Sequence, residues 1–246
     1  MPPAGAVRPA GGACDGAGAA SARTGFDELQ HGNANVSGSS AEEMRARLTA
    51  QRVVPVLRLA SVEETRFAVD CLVEAGFACI ELTLTTPGAV ELIAELRARM
   101  GAEASIGAGT VLDLASAERC IAAGADFLVS PCMVAGMAAR VHAAGRVALI
   151  GGYTPGEVLA ASREGADIVK VFPAASGGPA HLAAIHAVFP AIALCPTGGV
   201  SLANMQDYFA AGAAFVGVGN NIIDSAALRA RERVRVIDHA RKFLAG

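Results

Sequence analysis

The chain has 246 residues, with 20 Lys and Arg against 23 Asp and Glu and a formal net charge of −3. That balance excludes a basic nucleic-acid footprint and a polybasic membrane anchor, and an aromatic share of 4% with no Trp argues against base- or sugar-stacking platforms. A hydrophobic share of 53%, with 28 Gly and only 17% charged residues, excludes disorder over most of the length and leaves little solvated surface, so one large core and a subunit interface are expected.

Residues 1 to about 40 are rich in Gly, Ala and Ser and show no periodicity. They lack the apolar stretch of a secretory signal and read as a disordered tail. From Ala41 the pattern changes. Residues 41–51 predict a helix. Short apolar runs then follow at 53–58, 78–82, 105–109, 126–130, 147–150, 167–172, 192–195 and 214–218. Amphipathic segments lie between them, for instance at 62–75, 89–100, 115–123 and 202–211. Ser61, Thr86-Pro87, Thr154-Pro155 and Ser201 are helix start signals; Gly76, Gly101, Gly124, Gly145, Gly165 and Gly212 are stop signals. Eight strand–helix units in about 200 residues predict a (β/α)8 TIM barrel of residues 41–246, with the extra N-terminal helix closing its floor. A doubly wound open sheet is the competing arrangement.

Six Cys, at 14, 71, 79, 120, 132 and 195, form no CxxC pair, and most sit in apolar segments. They read as buried free thiols of a reducing, cytoplasmic compartment. The longest stretch without Asp, Glu, Lys or Arg, 171–206, is broken by Pro173, Pro179, Pro190 and Pro196, which no membrane helix tolerates unaided.

In such a barrel, reactive groups sit at the C-terminal ends of strands, and alternation decides which of them face inward. The sixth strand reads Asp-Ile-Val-Lys-Val-Phe over 167–172. Ile168, Lys170 and Phe172 share one face; Val169 and Val171 suit the helix layer. The chain uses Lys only at 170 and 242, so a Lys in an apolar strand stands out. Desolvation is expected to favour its neutral amine, a nucleophile toward carbonyl carbon. A buried ion pair is the competing reading. On the second strand, Cys79, Glu81, Thr83 and Thr85 share the inward face, so Glu81 is an interior carboxylate able to pair with Lys170 or shuttle protons beside it. Arg58 ends the first strand on the face of Val54 and Val56. "IGAGTV" (106–111) ends the third with two Gly and the hydroxyl of Thr110. "CPTGGV" (195–200) and "GVGNN" (217–221) end the seventh and eighth. These are Gly-rich ends where this fold recurrently holds phosphate. The His residues lie in the tail or in helical segments, so no metal site is expected.

"VPVLR", "IELTLTTP", "IGAGTV", "FLVSP", "IVKVFPA", "CPTGGVS" and "VGVG" together resemble the motifs of the 2-keto-3-deoxy-6-phosphogluconate / 4-hydroxy-2-oxoglutarate aldolases, over about residues 50–244. The resemblance implies a class I aldolase: a lyase of carbohydrate metabolism in the Entner–Doudoroff pathway, cytoplasmic and homotrimeric. Such an enzyme forms a Schiff base with a 2-oxo acid and needs neither metal nor organic cofactor. It implies Lys170 as the Schiff-base lysine and Glu81 as the general acid/base. Arg58, Thr85 and Thr110 would lie near the pyruvyl carboxylate, and Phe172 and Thr197 would line the substrate site. Gly198, Gly199, Gly219 and Asn220 would lie near the phosphate. The chain departs from the commoner family pattern at four places: Thr85 stands where many members have Arg, Gly151-Gly152 where Pro-Gly is usual, Ala175 where many have Glu, and Asn220 where the usual residue is Ser. The expected reaction is cleavage of 2-keto-3-deoxy-6-phosphogluconate to pyruvate and glyceraldehyde 3-phosphate. The galactonate epimer and 4-hydroxy-2-oxoglutarate are alternative substrates, and a catalytically silent phosphate-binding barrel is the non-enzymatic alternative. No nucleic acid or membrane partner is expected.

Overall fold

A computed structural model describes residues 40–245; the expected tail up to residue 39 lies outside the described residues. Eight parallel strands run β1 Val53–Leu57, β2 Cys79–Thr83, β3 Ser105–Gly109, β4 Phe127–Val129, β5 Val147–Gly152, β6 Ile168–Val171, β7 Leu194–Pro196 and β8 Val216–Val218. The sheet order is β7-β6-β5-β4-β3-β2-β1-β8. Parallel bridges Leu194↔Ala213 and Thr197↔Gly217 join its two ends, which makes the (β/α)8 barrel and not the open sheet.

Among the described residues ten α-helices accompany the strands: α1 Ala41–Gln51, α2 Val62–Ala75, α3 Ala89–Met100, α4 Leu114–Ala122, α5 Met137–Ala143, α6 Pro155–Arg163, α7 Gly178–Val188, α8 Met205–Ala210, α9 Ser225–Arg229 and α10 Arg233–Leu244. Among the described residues no helix is long and apolar enough to cross a membrane. The start signals at Ser61 and Thr154 act as read: each side chain accepts the N–H of the Glu three residues on. Helix α8 starts later than the periodicity suggested. Asn204 Oδ1 accepts Ser201 N–H at 2.8 Å and its Nδ2 donates to Gly199 O at 3.0 Å. Those bonds hold 201–204 as a turn that closes the loop after β7.

Strand alternation sorts the apolar residues into two cores. Val53, Leu57, Ile80, Leu82, Ile106, Ala108, Val169 and Val171 pack outward against the helices. Val54, Cys79, Phe127, Val129, Val147, Leu149, Ile168, Cys195 and Phe215 fill the barrel, together with Met44 and Leu48 of α1. Those two residues, one helical turn apart, are the buried face of α1, so α1 closes the barrel as expected. Truncating a fully buried leucine such as Leu48 costs about 2–5 kcal/mol. Gln51 fastens the end of α1. Its Oε1 accepts the N–H groups of Ala78 and Cys79, and its Nε2 donates to the carbonyls of Val53 and Cys79. The carboxylate of Asp126 stands at the start of β4. It accepts Ile106 N–H at 2.9 Å and pairs with Arg97 at 3.1 Å and Arg146 at 3.4 Å, which satisfies a buried charge at the end of the barrel remote from the strand C-termini.

Strand β5 is longer than its apolar run, because Gly151 and Gly152 continue it. A methyl group at Gly151 would strike the backbone of Pro131 and Cys132, and one at Gly152 would lie 2.8 Å from the Glu157 carbonyl carbon. Close approach of the neighbouring loop and of α6 is what selects glycine there. Cys71, Cys79, Cys120, Cys132 and Cys195 are all free, and only Cys132 is exposed.

Candidate active site

Alternation on β6 places Lys170 on the interior face with Ile168, as the sequence predicted. On β2 it places Glu81 there with Cys79. Each is only 4% exposed. Lys170 Nζ lies 3.6 Å from Glu81 Oε1, an ion-pair distance that is long for a hydrogen bond. Glu81 Oε1 therefore remains a buried acceptor without a hydrogen-bond partner. Burial raises the Glu81 carboxyl above the ordinary carboxylate range, and the charges of Lys170 and Arg58 offset this only in part. The carboxylate is thus poised to take a proton beside an amine.

Cys195 is the register partner of Lys170 on β7 and faces the same interior. Burial pushes its thiol up to about 12, so it stays protonated at neutral pH and is a poor nucleophile. The Lys170 amine is the other nitrogen or sulfur nucleophile at this level of the barrel. Thr197, on the same face of the chain, accepts or donates to Cys195 Sγ at 3.6 Å. It seats against Gly217, where a methyl group would lie 3.1 Å from Thr197 Cγ2.

Above Lys170 a cavity of about 310 Å³ opens at the strand C-termini, lined by Val56, Arg58, Lys170, Phe172, Thr197, Gly198, Gly199, Val200, Gly219, Asn220 and Asn221. Arg58 supplies a cation on one side. Lys170 Nζ stands 5.7 Å from the centre of the Phe172 ring, within reach of a cation–π contact. The turns after β7 and β8 complete its lining. Gly198 and Gly199 both have positive φ, 91° and 86°, which lets the backbone curl under Phe172 and Ala175. Two hydrogen bonds hold that turn to the loop after β6: Ala174 N–H to Thr197 O at 2.8 Å and Ala175 N–H to Gly198 O at 2.9 Å. Asn221 Nδ2 donates to Val200 O at 3.0 Å, joining the two turns across the cavity rim, while the neighbouring Asn220 is exposed.

The structure thus gathers Lys170, Arg58, Phe172, Thr197, Gly198, Gly199, Gly219 and Asn220 around one cavity. Glu81 reaches it through Lys170. Thr110 touches it through Arg58, whose Nη2 donates to Thr110 Oγ1 at 3.5 Å. Thr110 has φ 59°, the left-handed region that a β-branched residue rarely enters. Thr85 is exposed and stands outside the lining. Since Thr83 Oγ1 donates to Leu57 O at 3.0 Å, the 2.8 Å contact between the two threonine hydroxyls uses the Thr85 proton.

The glycines of "IGAGTV" read as an anion turn in sequence; the structure gives them another use. A methyl group at Gly107 would strike the Phe127 ring, and one at Gly109 would strike the Glu81 carboxylate. Sequence reading passed over Gly109 because the side chain it accommodates belongs to another strand.

A model of the "KDPG and KHG aldolase" family matches residues 44–238. The chain is 36% identical over 210 residues to the 2-dehydro-3-deoxy-phosphogluconate aldolase of Dickeya dadantii, covering 85% of this chain and 96% of that one. It is 36% identical over 171 residues to a probable 2-dehydro-3-deoxy-6-phosphogalactonate aldolase of Rhizobium meliloti, covering 69% and 81%. Among solved structures, it superposes with a TM-score of 0.74 on the KDPG aldolase of Legionella pneumophila, described with pyruvate captured as a covalent carbinolamine intermediate. That match has 29% identity and covers 80% of this chain and 96% of that one.

Proposed function

The chain belongs to the KDPG and KHG aldolase family, and on that premise we propose that it cleaves 2-keto-3-deoxy-6-phosphogluconate to pyruvate and glyceraldehyde 3-phosphate, with Lys170 as the Schiff-base lysine. The observation that carries this reading is the buried Lys170 amine, 3.6 Å from Glu81, on the floor of a cavity lined by the Arg58 guanidinium and by glycine turns. A substrate with a carboxylate at one end and a phosphate at the other matches that layout.

The steps follow from the positions. Proton transfer from Nζ to Glu81 leaves a neutral amine that adds to the substrate C2 carbonyl. Glu81 returns that proton to the carbinolamine hydroxyl, which leaves as water and gives an iminium. Glu81, through a bound water, takes the C4 hydroxyl proton. The C3–C4 electron pair moves into the iminium, the aldehyde departs, and an enamine remains. Protonation at C3 and addition of water then release pyruvate and restore the amine. Arg58, braced by Thr110, holds the carboxylate. Backbone N–H groups around Gly198, Gly199 and Gly219, with the Asn220 amide, receive the phosphate.

A second substrate reading rests on the Rhizobium meliloti relative: the C4 epimer, 2-keto-3-deoxy-6-phosphogalactonate. The chemistry at Lys170 is the same for both; contacts to the C4 hydroxyl separate them. We also place the enzyme in the cytoplasm, within the Entner–Doudoroff pathway, as a homotrimer. Free thiols support the compartment. Leu112 and Met133, 56% and 40% exposed in the loops after β3 and β4, support an apolar contact face near the strand C-termini. The deciding experiment measures pyruvate release from four compounds: both phosphorylated epimers, unphosphorylated 2-keto-3-deoxygluconate, and 4-hydroxy-2-oxoglutarate. The highest kcat/KM for 2-keto-3-deoxy-6-phosphogluconate is expected. A higher value for the galactonate epimer or for 4-hydroxy-2-oxoglutarate would move the assignment to that compound.

A further inference from the structure

Gly109 ends β3 and is register partner to Thr83 on β2. It faces the barrel interior, since its neighbour Ala108 packs outward with the helix layer. Its φ is not in the left-handed region, in contrast to Thr110 next to it, so backbone conformation does not require glycine. What requires it is space. A methyl group there would overlap Glu81 Oε1 and lie 2.5 Å from Cδ and 2.7 Å from Cγ, and these Glu81 atoms are its nearest neighbours. Overlap with a side-chain end differs from overlap with backbone. The chain at Gly109 is anchored by Leu84 N–H on its carbonyl at 2.8 Å, while the Glu81 head has no hydrogen bond holding Oε1. The carboxylate is therefore the part that must yield.

We infer that Gly109 is a positioning residue for proton transfer: it leaves the slot in which Glu81 lies against Lys170. Any side chain there displaces the carboxylate from its place beside the amine, while Lys170, on β6, contributes none of the three atoms nearest to such a methyl group. The inference rests on Glu81 being the proton-transfer group of the proposed reaction. It goes further in assigning the geometry of that group to a residue with no side chain.

The test uses Gly109→Ala in the full chain, read by two assays on pyruvate. Borohydride trapping reports the Lys170 adduct; exchange of the pyruvate methyl protons with solvent reports acid/base transfer. Gly109→Ala should still be trapped, and its exchange should fall by about 100-fold or more, the scale of a lost general acid/base. In a Glu81→Gln background, which has already lost the base, Gly109→Ala should slow exchange no further. Exchange at the natural rate in Gly109→Ala, or an additional loss of about tenfold or more on top of Glu81→Gln, overturns the inference. Undiminished exchange in Glu81→Gln alone would instead remove Glu81 from proton transfer, a separate failure belonging to the reaction reading. If Gly109→Ala does not fold, Glu81→Ala with Gly109→Ala should, because the colliding atoms are gone; a double variant that also fails to fold would contradict the assignment.

Discussion

Arg58 and Thr110 meet at the mouth of the barrel, Nη2 to Oγ1 at 3.5 Å, with Thr110 at φ 59°. A β-branched residue in that region carries about 1–3 kcal/mol of backbone strain, so local stability and site geometry oppose each other at one position. Thr110→Gly relieves the strain and removes the hydroxyl, against a chain-entropy cost of about 0.5–1 kcal/mol for glycine. The variant should melt no lower than the natural chain while its KM for the 2-oxo acid rises several-fold. Thr110→Ser should keep the low KM. Thermal melts and steady-state kinetics on the two variants check this; a clear drop in melting temperature for Thr110→Gly would show that the hydroxyl serves stability.

The raised Glu81 carboxyl has a consequence for folding. Between the ordinary carboxylate range and the raised value, the folded chain holds the Glu81 proton and the unfolded chain has lost it. Stability contributed by this group is therefore complete below the ordinary range and declines as pH rises through the folded value. Glu81→Gln lacks that titration. Urea unfolding across this window should show the natural chain losing stability relative to Glu81→Gln as pH increases, with a constant difference on either side. Parallel pH curves for the two proteins would mean that the carboxyl is not held above its ordinary range.

Asn220 lines the cavity where the family resemblance leads one to expect a serine. Its amide can donate to a phosphate, as a hydroxyl does, but it is longer and bulkier. The backbone groups around Gly198, Gly199 and Gly219 need no side chain to bind an anion. The phosphorylated substrate should therefore still be preferred over its unphosphorylated analogue, through KM more than kcat, because a remote group contributes uniform binding. Asn220→Ser should alter kcat/KM for the phosphorylated compound by roughly tenfold or less, the worth of about one hydrogen bond. Equal kcat/KM for both compounds on the natural enzyme would sink the phosphate-site assignment.

Activity should persist in EDTA, because the iminium formed at Lys170 supplies the electron sink that a divalent ion supplies in metal-assisted aldol cleavage. Loss of pyruvate release on chelation, restored by added Mg²⁺ or Zn²⁺, would count against an iminium mechanism.

The barrel and its interior Lys170 and Glu81 were legible because both depend on strand parity. Ile168-Lys170 and Cys79-Glu81 alternate with residues that pack outward, and that alternation turned both side chains into the barrel, where they lie 3.6 Å apart. Glycine was less legible. At Gly76 it ends a helix with φ 111°, a role local to the chain. At Gly109, Gly151 and Gly217 it makes room for groups on other segments, Glu81, Pro131 and Thr197, which only the assembled barrel brings near. The start of α8 was misread for a related reason: Asn204 satisfies Ser201 and Gly199 through side-chain bonds that compete with helix formation. Thr85, on the inward face by parity, lies beyond the end of β2, where alternation no longer governs direction.

Lys170 is the group expected to bond covalently to substrate. Borohydride added with pyruvate, followed by proteolysis and peptide mass mapping, should place a reduced pyruvyl group on the peptide containing Lys170. Lys170→Arg should remain folded, take up no label and show no turnover, since a guanidinium does not form the iminium. A mass shift mapping to Lys242, or no shift at all in an active preparation, would contradict this role for Lys170.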